Sequence, residues 1–249
     1  MLARIPLGAK YYCSVCKRKV RRFLPYRGGW ADVPPLIRHL GVIGSDVENF
    51  ECPACGCHDR ERHLLLYLTA ANLLSAMSGA RILHFAPERN LRRFIRAADP
   101  AEYVLADLFP DSSEVQRADL QAIPYPAEHF DFVLANHVLE HVQDDALALR
   151  EIFRVLRPGG HAILQTPYAS GLTRTFEDPA IVSGEARLHA YAQEDHCRLY
   201  GEDFVSRAES SGLRRKISTH AALLPHIDAA VMGVNVEEPF LLFQKPVNG

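Results

Sequence analysis

The chain has 249 residues, of which 48% are hydrophobic and 23% are charged, so one large soluble domain with a small appendage is expected. No apolar run approaches the roughly 18 residues of a membrane span, and the N-terminus lacks a signal-peptide core, which predicts a cytoplasmic protein without membrane contact. The formal net charge of −2 hides an asymmetry, because residues 1–63 hold 11 Lys and Arg against 6 Asp and Glu, and the remainder holds 17 against 24. The larger part therefore offers no global basic field for nucleic acid.

Two paired-cysteine motifs mark the N-terminal segment. Cys13-x-x-Cys16 and Cys52-x-x-Cys55 are separated by 35 residues. Each motif can turn two thiolates toward one point, and two such turns complete a tetrahedral set suited to a structural zinc. A redox-active pair is the main rival, but it would not need the second motif. Three further residues lie close enough in sequence to replace one ligand: Cys57, His58 and His63.

We therefore predict a zinc-ribbon-like module over residues 1–63. Its basic run, Lys17 to Arg22, is either a patch that contacts phosphate or a solvated face beside the metal site. Prolines and glycines punctuate the insert between the motifs, which predicts loops with short elements. From Arg60, leucines at helical spacing predict a helix that runs to about Met77 and joins the module to the rest of the chain.

The next stretches alternate between strand and helix patterns. "RILHFAPERNLRRFI" reads as a strand, a tight turn and a helix, and "EYVLADLF" reads as a second strand that ends at Asp107. Phe130 to Ala135 is a short apolar run typical of a buried parallel strand. Helical spacing follows it, Pro158-Gly159-Gly160 should break that helix, and His161 to Gln165 is predicted as the next strand.

These stretches resemble the class I S-adenosylmethionine (SAM)-dependent methyltransferases. The resemblance rests on "RADLQAIPYPAEHFD", "FDFVLANHVLEHV" and "REIFRVLRPGGHAILQTP", and it covers roughly Arg81 to Val247. It implies an α/β fold, a Rossmann-like seven-stranded sheet with helices on both faces. Leu213 to Ser218 and Pro239 to Lys245 resemble the antiparallel hairpin that closes such a sheet. The methyltransferase domain is expected over residues 64–249.

The resemblance also implies where the cofactor binds, although the chain departs from the pattern at the first turn. His84 stands where an acidic residue is expected, and Ala86, Glu88 and Asn90 replace three glycines. Our hypothesis is that Glu88 pairs with the cofactor ammonium; alternatively, it only favours the first helical turn through the helix dipole. The predicted cofactor-binding residues are His84, Ala86, Pro87, Glu88, Asp107, Leu108, Asp119, Leu120, Asn136, His137 and Val138.

Particular roles are implied for some of them. Asp107 follows Glu88 by 19 residues, at the distance where dinucleotide folds place the acid that accepts the ribose hydroxyls. Asp119-Leu120 resembles the segment that contacts adenine, with a helix N-cap as the alternative role of Asp119. Asn136, His137 and Val138 should line the sulfonium and adenine side.

The candidate catalytic residues lie on the substrate side. Residues 166–201 have weak periodicity but several aromatic and histidine side chains, so we expect a lid over the acceptor rather than disorder. His196, His141 and Tyr200 are the candidates, and an imidazole suits proton removal at neutral pH. The alternative is that they pin the lid or the pocket in place.

The favoured function is methyl transfer from SAM to an oxygen or nitrogen atom of a small molecule, in secondary metabolism or glycan modification, with S-adenosylhomocysteine as the product. An RNA methyltransferase that uses the basic module is an alternative. A binding protein that has kept the fold and lost catalysis is another, motivated by the altered glycines. A homodimer contact is one expectation for the segment 220–235.

Overall fold

The protein is described here by a computed structural model that covers residues 10–247. Seven strands form the central sheet in the order β10-β11-β8-β7-β4-β5-β6. The strands are β4 (Arg81–Phe85), β5 (Glu102–Asp107), β6 (Gln116–Arg117), β7 (Phe130–Ala135), β8 (Leu156–Ile163), β10 (Arg214–Arg215) and β11 (Leu242–Gln244). Two short antiparallel pairs join β1 (Tyr11–Tyr12) to β2 (Lys19–Val20) and β3 (Val42–Ile43) to β9 (Tyr168–Ala169).

The strand directions confirm the predicted fold. Strand β4 lies parallel to both β5 and β7, and β7 lies parallel to β8. At one edge, β11 runs antiparallel to β8 and to β10, as the predicted closing hairpin requires. The central strands are apolar and buried on both faces, because helices cover both sides of a parallel sheet.

Nine α-helices accompany the sheet within the described residues, besides a 3-10 helix at Gly29–Asp32. They are α1 (Pro35–His39), α2 (Asp59–Ala70), α3 (Leu73–Ala76), α4 (Leu91–Ala97), α5 (Asp145–Val155), α6 (Gly184–Tyr191), α7 (Phe204–Glu209), α8 (His220–Leu223) and α9 (Ala229–Met232). Apolar side chains of α2 and α4 pack with one face of the sheet, and those of α5 and α7 pack with the other. Over residues 10–247, none of these helices combines the length and the hydropathy that crossing a bilayer would need.

Two sequence-based boundaries were wrong. The helix predicted from Arg60 to Met77 divides at Asn72, whose φ of 57° is left-handed, into α2 and α3. Strand β8 begins at Leu156 and includes the Pro-Gly-Gly segment, rather than running from His161 to Gln165. The reason is pairing with the C-terminal segment: Gly159 donates to the Lys245 carbonyl at 2.8 Å, and Lys245 donates to Gly160 at 2.9 Å.

The N-terminal segment packs directly on the methyltransferase-like sheet domain through the side chain of Arg62. This residue lies on α2, the helix within which the predicted boundary between residues 63 and 64 falls, and it is fully buried. Its guanidinium lies 3.8 Å from the ring centroid of Phe23. It donates to five backbone carbonyls, those of Asn49, Phe50, Cys57, Met232 and Gly233. One side chain thus joins Phe23 and the segment around the second cysteine motif to residues 232 and 233.

We expect Arg62→Met to lower the free energy of unfolding by more than about 3 kcal/mol, because it leaves several buried carbonyls without donors. Urea denaturation measures the change. Arg22→Met is the matched control, since Arg22 is exposed on the same segment and its loss should change little. Equal stabilities of the two variants would contradict this role for Arg62.

Candidate active site

A cleft of about 640 Å³ opens at the carboxyl end of the parallel strands. The sheet contributes the residues that follow β4 and β7, among them Ala86, Glu88 and Asn136. The opposite wall comes from the N-terminal segment, with Tyr26, Trp30 and Phe50, and from the predicted lid (residues 166–201), with Gln193 and His196. Open α/β sheets bind ligands at this edge, so the cleft is the candidate active site.

The turn after β4 keeps a tight shape without glycine. Ala86 takes a φ of 45°, in the left-handed region that glycine normally supplies, and its small side chain is exposed to the cleft. Half-buried Pro87 follows it. Alanine therefore stands at this turn where glycine is usual, and its small side chain still lets a ligand approach the backbone.

Glu88 is held by a polar network at the base of the cleft. It accepts a hydrogen bond from His84 Nε2 at 2.6 Å and another from Asn136 Nδ2 at 3.1 Å. His84 is fully buried, and its Nδ1 lies 2.8 Å from the Tyr103 hydroxyl. Burial by itself raises the pKa of Glu88, but the charge and hydrogen bond of His84 outweigh it and lower that pKa. Glu88 is therefore an ionised carboxylate that remains part of the cleft wall.

The turn after β7 places the side chains of His137 and Glu140 toward the cleft. His137 has a φ of 52°, and its backbone N–H donates to the Gln165 carbonyl at 2.6 Å. Glu140 is buried, accepts from the Thr166 hydroxyl at 2.9 Å and lies 3.5 Å from His137 Nδ1. Burial raises the pKa of Glu140, but the hydrogen bond from His137 and the charges of nearby histidines lower it to about 2. Val138, predicted to line the pocket, packs against the core.

The structure brings His141 and His196 together. Their ring centroids lie 4.7 Å apart and their planes are nearly perpendicular, at 87°. His196 Nδ1 lies 2.8 Å from the Tyr191 carbonyl, and His141 Nδ1 lies 3.3 Å from a carboxylate oxygen of Asp195. Burial lowers the pKa of His196. Both imidazoles line the cleft, as expected of groups that act on the acceptor.

Tyr200, the third candidate catalytic residue, is not brought to this cleft. It is fully buried, and its hydroxyl donates to Asp145 at 2.9 Å and to the Leu139 carbonyl at 3.2 Å. Arg198 is also buried and donates to the carbonyls of Leu139, Val142 and Gln143. The polar groups of Arg198 and Tyr200 therefore fix the turn after β7.

The remaining predicted cofactor residues lie farther along the same edge of the sheet. Asp107 ends β5, beside β4, and accepts from the Phe109 N–H at 2.8 Å; Leu108 is 43% exposed. Asp119 follows β6, the outermost strand, and accepts from the Gln121 N–H at 2.8 Å, whereas the Leu120 side chain is buried in the core. These four residues do not line the 640 Å³ cleft. They lie along the same edge of the sheet, after β5 and β6, which are one and two strands away from β4.

Comparison with known proteins identifies the central part of the chain. Residues 73–164 match the model of a family described as methyltransferase domain. These residues form a methyltransferase domain. Its activity is accordingly enzymatic methyl transfer that depends on SAM.

Relatives extend the similarity beyond the matched segment. A 2-phytyl-1,4-naphtoquinone methyltransferase of Synechococcus elongatus is 28% identical over 175 residues, which cover 68% of this chain and 73% of the relative. A malonyl-[acyl-carrier protein] O-methyltransferase of Halorhodospira halophila is 36% identical over 77 residues, 31% of this chain and 26% of the relative. The solved YcgJ protein of Bacillus subtilis is 15% identical with a TM-score of 0.49, and the match covers 75% of this chain and 100% of that one.

The wall opposite the methyltransferase domain was not anticipated from sequence. Phe50 stacks on His58 with 4.2 Å between ring centroids, and Tyr26 lies 4.9 Å from Phe50. Trp30 is 49% exposed beside them. The wall depends on contacts between distant segments, which a sequence does not show. The aromatic content of the insert between the cysteine motifs is the one sequence feature that could have indicated a binding role.

The insert and the lid are bound to each other. Strand β3 of the insert pairs with β9 of the lid, and Arg27 forms a bidentate ion pair with Glu194, with nitrogen–oxygen distances of 2.9 and 3.1 Å. Ile37 of α1 packs with Tyr191 of α6 in a small separate core. The two segments therefore form one layer across the cleft from the methyltransferase domain.

The N-terminal cysteines cluster, and the cluster includes Cys57, which the sequence offered as a possible replacement for one of the four predicted ligands. Ligand atoms of Cys13, Cys52, Cys55 and Cys57 all lie within 4.8 Å of one another. Cys16, which the sequence favoured, has its sulfur 4.0 Å from that of Cys52. The basic run nearby is exposed and does not line the cleft.

Asp145 holds the side chains of Tyr200 and Arg207 beside the turn after β7. It pairs with Arg207 at 2.7 and 3.0 Å and accepts from Tyr200. Burial raises its pKa, but the hydrogen bonds from Arg207 and the charges of Arg198 and Arg207 outweigh burial, so the pKa lies below its ordinary value.

We expect Asp145→Asn to lower the free energy of unfolding by about 2 kcal/mol at neutral pH. A carboxylate with a lowered folded-state pKa stabilises fully above about pH 3.9, the unfolded value, and loses this effect as pH falls through the folded value. Urea denaturation of wild type and variant should therefore give free energies that converge below about pH 4. Exposed Asp111, changed to Asn, is the control; a gap that persists in acid would contradict the assignment.

Proposed function

We propose that this SAM-dependent methyltransferase methylates a small molecule held between the sheet edge and the N-terminal wall. The observation that carries the proposal is the cleft itself, a cavity of about 640 Å³ walled on its far side by the insert and the lid. That volume lies in the range of small-molecule sites. Two relatives are named as methyltransferases of 2-phytyl-1,4-naphtoquinone and of malonyl-[acyl-carrier protein], which supports an acceptor other than nucleic acid.

The chain's residues fit the cofactor along four neighbouring strands. SAM supplies an electrophilic methyl group on a positively charged sulfur. Ionised Glu88 beside the left-handed turn at Ala86 would hold the ammonium and carboxylate end. Asp107 would accept the ribose hydroxyls, and Asp119 with the Leu120 backbone would meet the adenine. Asn136 and His137 would lie under the sulfur.

The acceptor would lie across from the sulfur, against Tyr26, Trp30 and Phe50. Aromatic rings of this kind stack on flat acceptors and exclude water from the reacting atoms. His141 and His196 both line the cleft, so their imidazoles would lie beside the acceptor. An oxygen or a nitrogen nucleophile fits this arrangement.

Calorimetric titration with S-adenosylhomocysteine tests the cofactor assignment. We expect wild type to bind and Asp107→Ala to bind at least about 10-fold more weakly, because a charged acceptor of two hydroxyls is lost. Asp111→Ala, four residues farther along the same loop, should bind as wild type does.

Two outcomes would count against the assignment. Unchanged affinity in Asp107→Ala would remove the ribose role. Failure of wild type to bind the nucleoside at millimolar concentration would favour the alternative, a binding protein without catalysis.

We also infer that the cysteine cluster holds a structural zinc. Four sulfurs at about 2.3 Å from a zinc ion lie about 3.8 Å apart in a tetrahedron. The sulfur distances Cys13–Cys55, Cys13–Cys57 and Cys16–Cys52 are 3.9, 3.4 and 4.0 Å, which supports this geometry. Four protein ligands leave no open position, so the metal stabilises the wall rather than taking part in chemistry.

Metal analysis of purified variants tests the zinc assignment. Cys52→Ser should lose most of the bound zinc and unfold at lower urea, whereas Cys197→Ser, in the lid, should keep both. Comparing Cys16→Ser with Cys57→Ser identifies the fourth ligand, because only the true ligand's loss releases the metal. Full zinc content in Cys52→Ser would refute the site.

A further inference from the structure

A second group of metal-ligating side chains lies inside the cleft, away from the cysteines. One ligand atom from each of Glu140, His141 and His196 lies within 4.8 Å of the other two. Glu140 and His196 are buried, and His141 is half-buried. The first two residues come from the turn after β7, and the third comes from the lid, so the fold itself assembles the group.

The outer hydrogen bonds of both histidines suit metal ligation. His196 Nδ1 lies 2.8 Å from the Tyr191 carbonyl, which can only accept, so this nitrogen carries the proton. That leaves the Nε2 lone pair unprotonated and available to an ion. His141 Nδ1 likewise faces a carboxylate oxygen of Asp195 at 3.3 Å. Imidazoles that bind metals are oriented in this way by a carbonyl or carboxylate behind them.

An independent observation at the same place is an unpaired ring nitrogen. The side chain of His137 is 10% exposed, and its Nε2 is buried without a hydrogen-bond partner among the described residues. Its other nitrogen, Nδ1, lies 3.5 Å from Glu140. Buried polar atoms are normally paired, and an orphan at a cleft indicates a bound water or ion.

We propose that Glu140, His141 and His196 bind a divalent transition-metal ion in the acceptor half of the cleft. Two imidazoles and one carboxylate suit such ions and leave coordination positions open. The cysteine cluster is different in kind, because its soft thiolates close their site. The assignment rests on the proposed function and narrows it, since the open positions face the space where the acceptor would lie.

The metal site favours an acceptor with a hydroxyl group. Coordination to the ion would lower the pKa of that hydroxyl, and its proton would pass to water in the cleft. The oxygen lone pair would then form a bond to the methyl carbon while the carbon–sulfur bond breaks. The electrons of that bond stay on sulfur, which leaves neutral S-adenosylhomocysteine. Neither histidine needs to act as a free base in this scheme.

Manganese binding, followed by electron paramagnetic resonance of the free ion, tests the site with Mn²⁺ alone. Mn²⁺ suits carboxylate and imidazole ligands, whereas the thiolate cluster selects softer ions, so the two sites are read separately. We expect the full chain to bind one Mn²⁺. Two variants, Glu140→Gln and His196→Asn, should each bind at least about 10-fold more weakly. Asparagine keeps an N–H for the Tyr191 carbonyl, so His196→Asn removes the ligand while preserving the outer contact.

His189→Ala is the matched control, since His189 is exposed on α6 and does not line the cleft. It should bind Mn²⁺ as wild type does. Absence of Mn²⁺ binding by wild type at about 1 mM, or an affinity equal to that of wild type in both site variants, would overturn the assignment. Calorimetry with S-adenosylhomocysteine on the same samples separates the two proposals. Nucleoside binding without Mn²⁺ binding refutes only the metal site, and the reverse result refutes only the cofactor assignment.

Discussion

The buried guanidinium of Arg62 is the interaction on which the arrangement of the molecule depends. Within residues 10–247, its hydrogen-bond acceptors are five backbone carbonyls from three separate parts of the chain, with no carboxylate among them. A buried charge is costly unless its donors are satisfied, so these loops are held at fixed positions around one side chain. The N-terminal segment is thereby a rigid wall of the cleft rather than an appendage on a linker.

This placement makes the N-terminal segment part of the cleft rather than a separate module. Its insert reaches over the carboxyl edge of the sheet, pairs with the lid through β3 and β9, and presents aromatic rings to the cleft. Methyl transfer needs a donor and an acceptor held in line without water between them, and a walled cavity provides that alignment. The exposed basic run lies outside the cleft, which agrees with the structural role that we propose for the segment in a small-molecule site.

The sequence predicted the sheet well because parallel strands are local apolar runs. Strands β4, β5 and β7 end where their patterns end, which put Ala86, Asp107 and Asn136 at one edge. What could not be predicted depends on contacts between distant residues. Tyr200 is buried with its hydroxyl hydrogen-bonded to Asp145, and the Pro-Gly-Gly segment joins β8 because residue 245 pairs with it. The aromatic wall and the nearness of Glu140 to His196 arise in the same way.

The central claim is that the cleft between the methyltransferase domain and the N-terminal wall holds the acceptor and the sulfur of the donor, whose nucleoside part extends along the same edge of the sheet. A crystal structure of the full chain with S-adenosylhomocysteine tests it most directly. The account predicts the ribose at Asp107, the amino-acid end beside Ala86 and Glu88, and the sulfur facing the space between Phe50 and His196. A nucleoside bound elsewhere, or a sulfur turned away from that space, would contradict it.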